Sequence, residues 1–330
     1  MSSRRLFSTL RVLRHENPLG LPRRDPRGAP PQLPRRSGPI AKRPIPNVKQ
    51  VLVVASGKGG VGKSTVAVNL AFALALRRRA RVGILDLDIF GPSVPKLMGL
   101  DRADEPHLTS SGALVPLVNH GIPTMSMGFL LPRPAAADTN ADVPVVWRGL
   151  MVQKAVQQLL FDVDWRADAS GASTGAGLDV LVIDMPPGTG DVPLTLGQLV
   201  TVDGAVIVST PQDVALSDVR KGIAMFRKVD MPILGLVLNQ SYFVCPSCTS
   251  PHYLFGPPDR FREIARQLRV PVLGELPLAP GVSSGGDAGM PYTIVSDAKV
   301  KADDGEGGIM WKETMQEIAE NLWGSLQAPS

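Results

Sequence analysis

Eight residues, Gly57-Lys58-Gly59-Gly60-Val61-Gly62-Lys63-Ser64, satisfy the pattern G-x-x-x-x-G-K-[ST] and stand between two very different neighbours. The apolar run VLVVA (51–55) precedes them and a helical pattern over 64–78 follows. A strand that feeds a glycine-rich turn and then a helix leaves few folding options. Glycines let successive backbone N–H groups turn inward, and the helix N-terminus adds a favourable dipole, so the loop makes a cradle for phosphate. In such a loop Lys63 contacts the β- and γ-phosphates and Ser64 ligates Mg²⁺. Thr65, next at the helix start, is placed to reach the α-phosphate. ATP with Mg²⁺ is the expected ligand.

The same strand-then-helix alternation recurs along the chain. Apolar, β-branched runs at 82–86, 180–184, 205–209, 233–238 and 272–276 alternate with helical patterns at 149–160, 214–229 and 259–268, and 311–326 reads as a closing helix. Runs that are apolar at nearly every position suit strands buried on both faces. The expectation is an α/β fold with a doubly wound, mostly parallel sheet. Two segments, 132–142 and 166–177, read as flexible surface insertions, the second extending a loop without displacing the strand after it. The alternation of Met125, Met127 and Phe129 reads as strand or core packing, and SSGGDAG (283–289) as a loop near the nucleotide or a dimer face.

Strand ends add carboxylates. Asp184 closes the run VLVID, the pattern that holds Mg²⁺, and leads into Met185-Pro186-Pro187-Gly188-Thr189-Gly190-Asp191, where Gly188 can approach the γ-phosphate. Asp86 and Asp88 alternate along another emerging strand. Asp88 lies further out and is the candidate for positioning the attacking water, with Asp86 assisting the metal. No further base is evident, so the expected ATPase activity is weak.

Charge divides the chain. Residues 1–43 hold eleven Arg and Lys against Glu16 and Asp25, a net of +9, and against +5 overall this leaves about −4 for the rest. A body of that sign does not suit nucleic acid, whose binding needs basic groups against phosphates. Leu6, Leu10 and Leu13 fall at i, i+4 and i+7 among Arg4, Arg5, Arg11 and Arg14, the amphipathic, acid-poor make-up of a mitochondrial transit peptide. The expected division is a presequence with disordered linker over 1–45 and one ATPase domain over 46–330, acting in the matrix. No run reaches 18 apolar residues, so stable membrane insertion is not expected.

The chain has two cysteines, in Cys245-Pro246-Ser247-Cys248. Zinc or a four-iron cluster takes four ligands, and two chains about a two-fold axis supply four thiolates. His252 extends the motif to C-x-x-C-x₃-H, half of a zinc site, and a redox dithiol also fits the bare spacing. His252 itself reads as packing near Tyr253 and Phe255.

With its second lysine, Lys58, the loop resembles the deviant Walker A ATPases that include nitrogenase iron protein and MinD. Asp88-Ile89-Phe90-Gly91-Pro92-Ser93-Val94-Pro95, the stretch from Asp184 to Asp191, and the cysteine pair are similar to the Mrp/ApbC branch of iron–sulfur carrier ATPases. With the basic leader, the resemblance is to mitochondrial members that serve respiratory complex I assembly. It implies a P-loop NTPase homodimer with a [4Fe–4S] cluster bridging the two protomers through Cys245 and Cys248. It also implies that Lys58 reaches the other subunit's nucleotide and acts with Lys63 and Asp88. Asn239 would contact adenine, although a strand-end turn describes Asn239 equally well. Pro211 and Gln212, which end another strand on the same side of the sheet, are candidates to help bound the base. The client apoproteins implied are complex I subunits. The rival reading is a MinD-like, ATP-dependent dimerisation switch without a cluster.

Overall fold

A computed structural model of the chain describes residues 41–89, 91–130, 149–167, 170–173 and 175–328. The basic leader as far as residue 40 and the insertion at 132–142 lie outside the described residues.

In chain order the elements are β1 (Val48–Ser56), α1 (Lys63–Arg78), β2 (Val82–Asp86), α2 (Val94–Leu97), β3 (Leu117–Asn119), β4 (Ile122–Ser126) and α3 (Gly149–Phe161). There follow β5 (Leu178–Asp184), α4 (Asp191–Leu199), β6 (Gly204–Ser209), α5 (Asp213–Lys228), β7 (Ile233–Leu238), β8 (Phe243–Val244) and β9 (Pro251–His252). The chain closes with α6 (Asp259–Leu268), β10 (Val272–Glu275), α7 (Pro280–Asp287) and α8 (Asp297–Gln327). Eight strands form one sheet in the order β10-β7-β6-β1-β5-β2-β4-β3, parallel except for the antiparallel pair β3–β4. This is the doubly wound parallel architecture expected from the alternation.

The order places the site. β1 lies between β5 and β6, so the chain winds outward in both directions from it, and the crevice at such a reversal opens beyond the strands' C-terminal ends. Register then sets the acidic groups side by side: Asp184 pairs with Val54 of β1 and with Asp86 of β2. The central strands are apolar on both faces because both are covered. Val51 to Ala55 and Val180 to Ile183 are buried, as are Leu70 and Leu74 of α1 and Trp311, Ile318 and Leu322 of α8, which packs against α1. Each such aliphatic side chain contributes about 1.5–3 kcal/mol over its exposed state.

Three expectations change. SSGGDAG is mostly not a loop: residues 283–287 are the last five of α7, which starts with Pro280 at its first turn. Packing overrides glycine's poor helix propensity there, because a Cβ on Gly286 would lie 2.9 Å from a methyl of Leu97. The insertion at 166–177 is tied down in its described part. Gly175 donates to the Arg166 carbonyl (3.0 Å) and Ser173 donates to the Asp164 carboxylate. The closing helix is longer than its apolar pattern, beginning at Asp297 and breaking at Gly305 (φ 61°, ψ −145°). Met125, Met127 and Phe129 are core residues, as read. Among the described residues no helix is long and apolar enough to cross a membrane.

Candidate functional site

The loop between β1 and α1 walls a cavity of about 310 Å³, with Lys58, Gly59, Gly60, Lys63, Ser64 and Thr65 on one side and Asp88 and Pro187 on facing segments. Gly62 is the N-cap of α1, in the left-handed region (φ 80°, ψ 24°), and no side chain caps the helix. The first amides of α1 therefore remain available to an anion. Glycine is required at 62 twice over, since a Cβ would also lie 2.3 Å from Asn239 Nδ2. At Gly60 a Cβ would meet nothing within 4 Å, so the cradle is open on its phosphate side.

Behind the loop, three charged groups meet out of water. Lys63, 6% exposed, donates to Asp184 Oδ1 at 2.6 Å and to Ser64 Oγ at 3.1 Å, and its ammonium lies 3.8 Å from Asp88 Oδ2. Asp184 is fully buried, and among the described residues its Oδ2 has no hydrogen-bond partner. Burial raises its pKa above the usual carboxylate range against the opposing pull of Lys63. An orphaned buried carboxylate oxygen beside the Ser64 hydroxyl suits a hard divalent cation, so these residues fit Mg²⁺.

Asp86 has a different task from the one anticipated. It lines neither cavity of the site and instead ties down the segment that carries Asp88. Its carboxylate accepts the Asp88 N–H (2.9 Å), the Val94 N–H (3.4 Å) and the Ser126 hydroxyl (2.9 Å). Burial, then the nearby Asp184 charge, pushes its pKa to about 8. Gly188 donates its N–H to the Ser56 carbonyl (2.9 Å), and it is Pro187 that lines the cavity.

A second cavity of about 330 Å³ adjoins the first at Gly62 and Thr65. Its walls are Asn239 and Gln240, the segment 277–280, and Trp311. Asn239 serves both as a cavity wall and as a tether, donating its side-chain amide to the Val61 carbonyl at 2.9 Å while its backbone N–H bonds Ser209. Gln240 turns the strand end with φ 54°, a conformation sparsely used by non-glycine residues. Pro211 and Gln212 are not part of this lining; beyond the phosphate loop and the end of β7 it comes from the chain after β10. Position and size suit a nucleoside continuing from the phosphates.

The cysteines sit on a small hairpin apart from the main sheet. Antiparallel β8 and β9 pair Phe243 with His252 and Val244 with Pro251. The loop between them is closed by Cys245 N–H to the Ser250 carbonyl (3.1 Å) and Thr249 N–H to the Cys245 carbonyl (2.8 Å). Cys245 is partly exposed and Cys248 exposed. Hydrogen bonds from Ser250 lower the Cys248 pKa, favouring the thiolate that binds metals. His252 is also exposed rather than packed with Tyr253 and Phe255, and its Nε2 lies 4.0 Å from Cys248 Sγ. Lys58 is partly exposed, and among the described residues nothing accepts a hydrogen bond from its ammonium.

A family model described as ParA, "NUBPL iron-transfer P-loop NTPase", matches residues 47–319. The chain belongs to this family. It is 50% identical over 254 residues to the Mus musculus protein named "Iron-sulfur cluster transfer protein NUBPL", covering 77% of this chain and 73% of that one. It is 44% identical over 275 residues to an Arabidopsis thaliana protein named "Iron-sulfur protein required for NADH dehydrogenase, mitochondrial", covering 83% and 78%. A solved nucleotide-binding protein from Archaeoglobus fulgidus, in complex with ADP and with cobalt found, superposes with a TM-score of 0.59 at 36% identity, over 74% of this chain and 87% of that one.

Within this iron-transfer P-loop NTPase, Gly57, Lys58, Gly59, Gly60, Val61, Gly62, Lys63, Ser64 and Thr65 form one continuous loop and helix start, and Asp88 and Asp184 close on Lys63. Sequence reasoning missed the wall at 277–280 and Trp311. The one available signal was the P-x-x-P of Pro277 and Pro280 at the end of a strand, where the cavities of an open α/β sheet lie.

Proposed function

We propose that this chain carries a [4Fe–4S] cluster between two copies of itself, held by Cys245 and Cys248 of each, under the control of Mg–ATP. We further propose that residues 1–45 direct it to the mitochondrial matrix, where it supplies iron–sulfur subunits of respiratory complex I. The family, the mouse relative named for cluster transfer, and the plant relative named for NADH dehydrogenase support that assignment.

The observation that carries the reading is how short the link is between the two sites. Asn239 walls the base cavity and holds the phosphate loop at Val61, and Cys245 follows six residues later. The connecting segment is held to the other wall of the same cavity, with Ser241 N–H on the Leu276 carbonyl (2.9 Å) and Leu278 N–H on the Tyr242 carbonyl (2.6 Å). A nucleotide that shifts either wall acts on the root of the cysteine hairpin.

Ser64 and Asp184 would hold Mg²⁺, which would supply positive charge to offset that of the nucleotide phosphates. Lys63 exchanges its Asp184 partner for phosphate oxygen as the nucleotide enters. Asp88, 3.8 Å from the Lys63 ammonium, accepts a hydrogen bond from the attacking water and orients it. Lys58 reaches the nucleotide of the second copy. With no stronger base among the described residues that line the cavity, turnover is slow and the bound state lasts, as a switch requires.

Anaerobic reconstitution with iron and sulfide tests the proposal. The expected result is about two irons and two sulfides per chain in a dimer, lost in Cys245→Ser and in Cys248→Ser. A chain that binds ATP and takes up no iron would leave the MinD-like switch as the better reading.

A further inference from the structure

The cysteine hairpin presents three ligand atoms, one more than the bridging cluster takes from each chain. One atom each of Cys245, Cys248 and His252 all lie within 4.8 Å of one another, on residues that are partly or fully exposed. The hairpin produces this convergence. The loop hydrogen bonds of Cys245 with Ser250 and Thr249 fold the two thiols together, and the Phe243–His252 pairing brings the imidazole up beside Cys248. The ring is exposed, so core packing does not account for its position.

The separations discriminate between one metal ion and a cluster. For metal–sulfur bonds of about 2.3 Å and metal–nitrogen bonds of about 2.0 Å, a tetrahedral ion has its ligand atoms roughly 3.5–3.8 Å apart. The 4.0 Å from Cys248 Sγ to His252 Nε2 is close to that edge. In a four-iron cluster each protein ligand binds a different iron, so the ligand atoms stand farther apart than around a single ion.

The geometry points to a mononuclear Cys₂His site within one chain, formed by Cys245, Cys248 and His252, that takes Zn²⁺ or another borderline divalent ion. Thiolate and imidazole donors in a four-coordinate setting select such ions over Mg²⁺ or Ca²⁺. Binding releases the two thiol protons, and with three protein ligands the fourth position is open to water or to a thiolate from another chain. Because the same two thiolates would bridge the cluster, a chain holding an ion here is unavailable for cluster binding. The site thereby divides the protein between a metal-loaded single-chain form and a cluster-bearing dimer.

The test uses the full chain, reduced and free of metal, titrated anaerobically with Co²⁺ and read by visible absorption. Expected are one Co²⁺ per chain, tetrahedral ligand-field bands with thiolate charge transfer, and displacement by Zn²⁺. His252→Ala is expected to weaken cobalt binding more than tenfold, and His252→Cys to restore it, with unchanged ADP affinity showing that both variants fold. Saturation at one Co²⁺ per two chains, or unaltered affinity in His252→Ala, would overturn the site. So would cluster assembly on the zinc-loaded chain without release of zinc. The inference stands apart from the cluster reading. Native protein that binds one cobalt per chain and takes up no iron and sulfide defeats the cluster alone, whereas normal cluster assembly with no single-chain cobalt defeats the mononuclear site alone.

Discussion

The nucleotide end and the cysteine hairpin are built on opposite principles. At the nucleotide end Lys63 and Asp184 are 6% and 0% exposed, Asp184 at the C-terminal end of a central strand and Lys63 at the start of α1, and they hold one another. Charge is stored there in a low dielectric, where it acts strongly on a phosphate and needs little reorganisation. The hairpin consists of two strands of two residues each, outside the main sheet, with Cys248 and His252 exposed and Val244 as its buried root against Gly307 of α8. Segments with few buried contacts open locally at low cost. A switch gains from the first arrangement, and a site that must give up what it holds gains from the second.

Substitutions should separate the two regions by their effect on folding. The largest effect is expected from Lys63→Ala, which leaves Asp184 buried without its cation. Thermal or urea denaturation of the nucleotide-free protein should show a loss of about 3–5 kcal/mol, together with loss of ATP binding. Unchanged stability would mean that the buried pair does not hold the strand ends together.

Gly62→Ala comes next, at about 1–3 kcal/mol, from the left-handed backbone and the collision with Asn239. In a double-mutant cycle with Asn239→Ala, part of that loss should be recovered, because the second change removes the atom struck. Strict additivity would place the strain in the backbone alone.

A pH series tests the acidic pair. Asp86 has a folded pKa raised to about 8 from an ordinary carboxylate value, so between those two values the folded protein binds more protons than the unfolded chain. Stability is therefore fullest below the unfolded pKa and is lost as pH rises to about 8, by at most about 1.4 kcal/mol per pH unit. Asp86→Asn should flatten that slope, and a wild-type profile rising from pH 6 to 8 would contradict the assignment. The smallest folding effect is expected at the hairpin. Cys245→Ser and Cys248→Ser should each stay within about 0.5 kcal/mol of the native chain while removing iron uptake completely.

Much of this molecule follows from local sequence. The glycine-lysine loop between an apolar run and a helical pattern and the acidic strand ends each act over a few residues, so their spacing points to phosphate and Mg²⁺, whereas the spacing of the paired cysteines left zinc, a cluster and a redox dithiol open. The six strands read from apolar runs are all present, 82–86 and 233–238 with the bounds read and the other four with an end moved by one to three residues. What was not readable depended on distant segments meeting. Nothing near Asp86 tells that it faces Ser126 and the Val94 amide, and nothing near Asn239 tells that it holds Val61, 178 positions away. The wall at 277–280 joins the base cavity only because β10 lies beside β7, and His252 reaches Cys248 only through the register of a two-strand hairpin. Helix α7 forms on a glycine-rich stretch that by propensity favours a loop, because Leu97 comes close enough to use the missing side chain. Backbone propensity and apolar periodicity are properties of neighbours along the chain. Strand order and register are properties of the closed sheet, and they assemble the site from its parts.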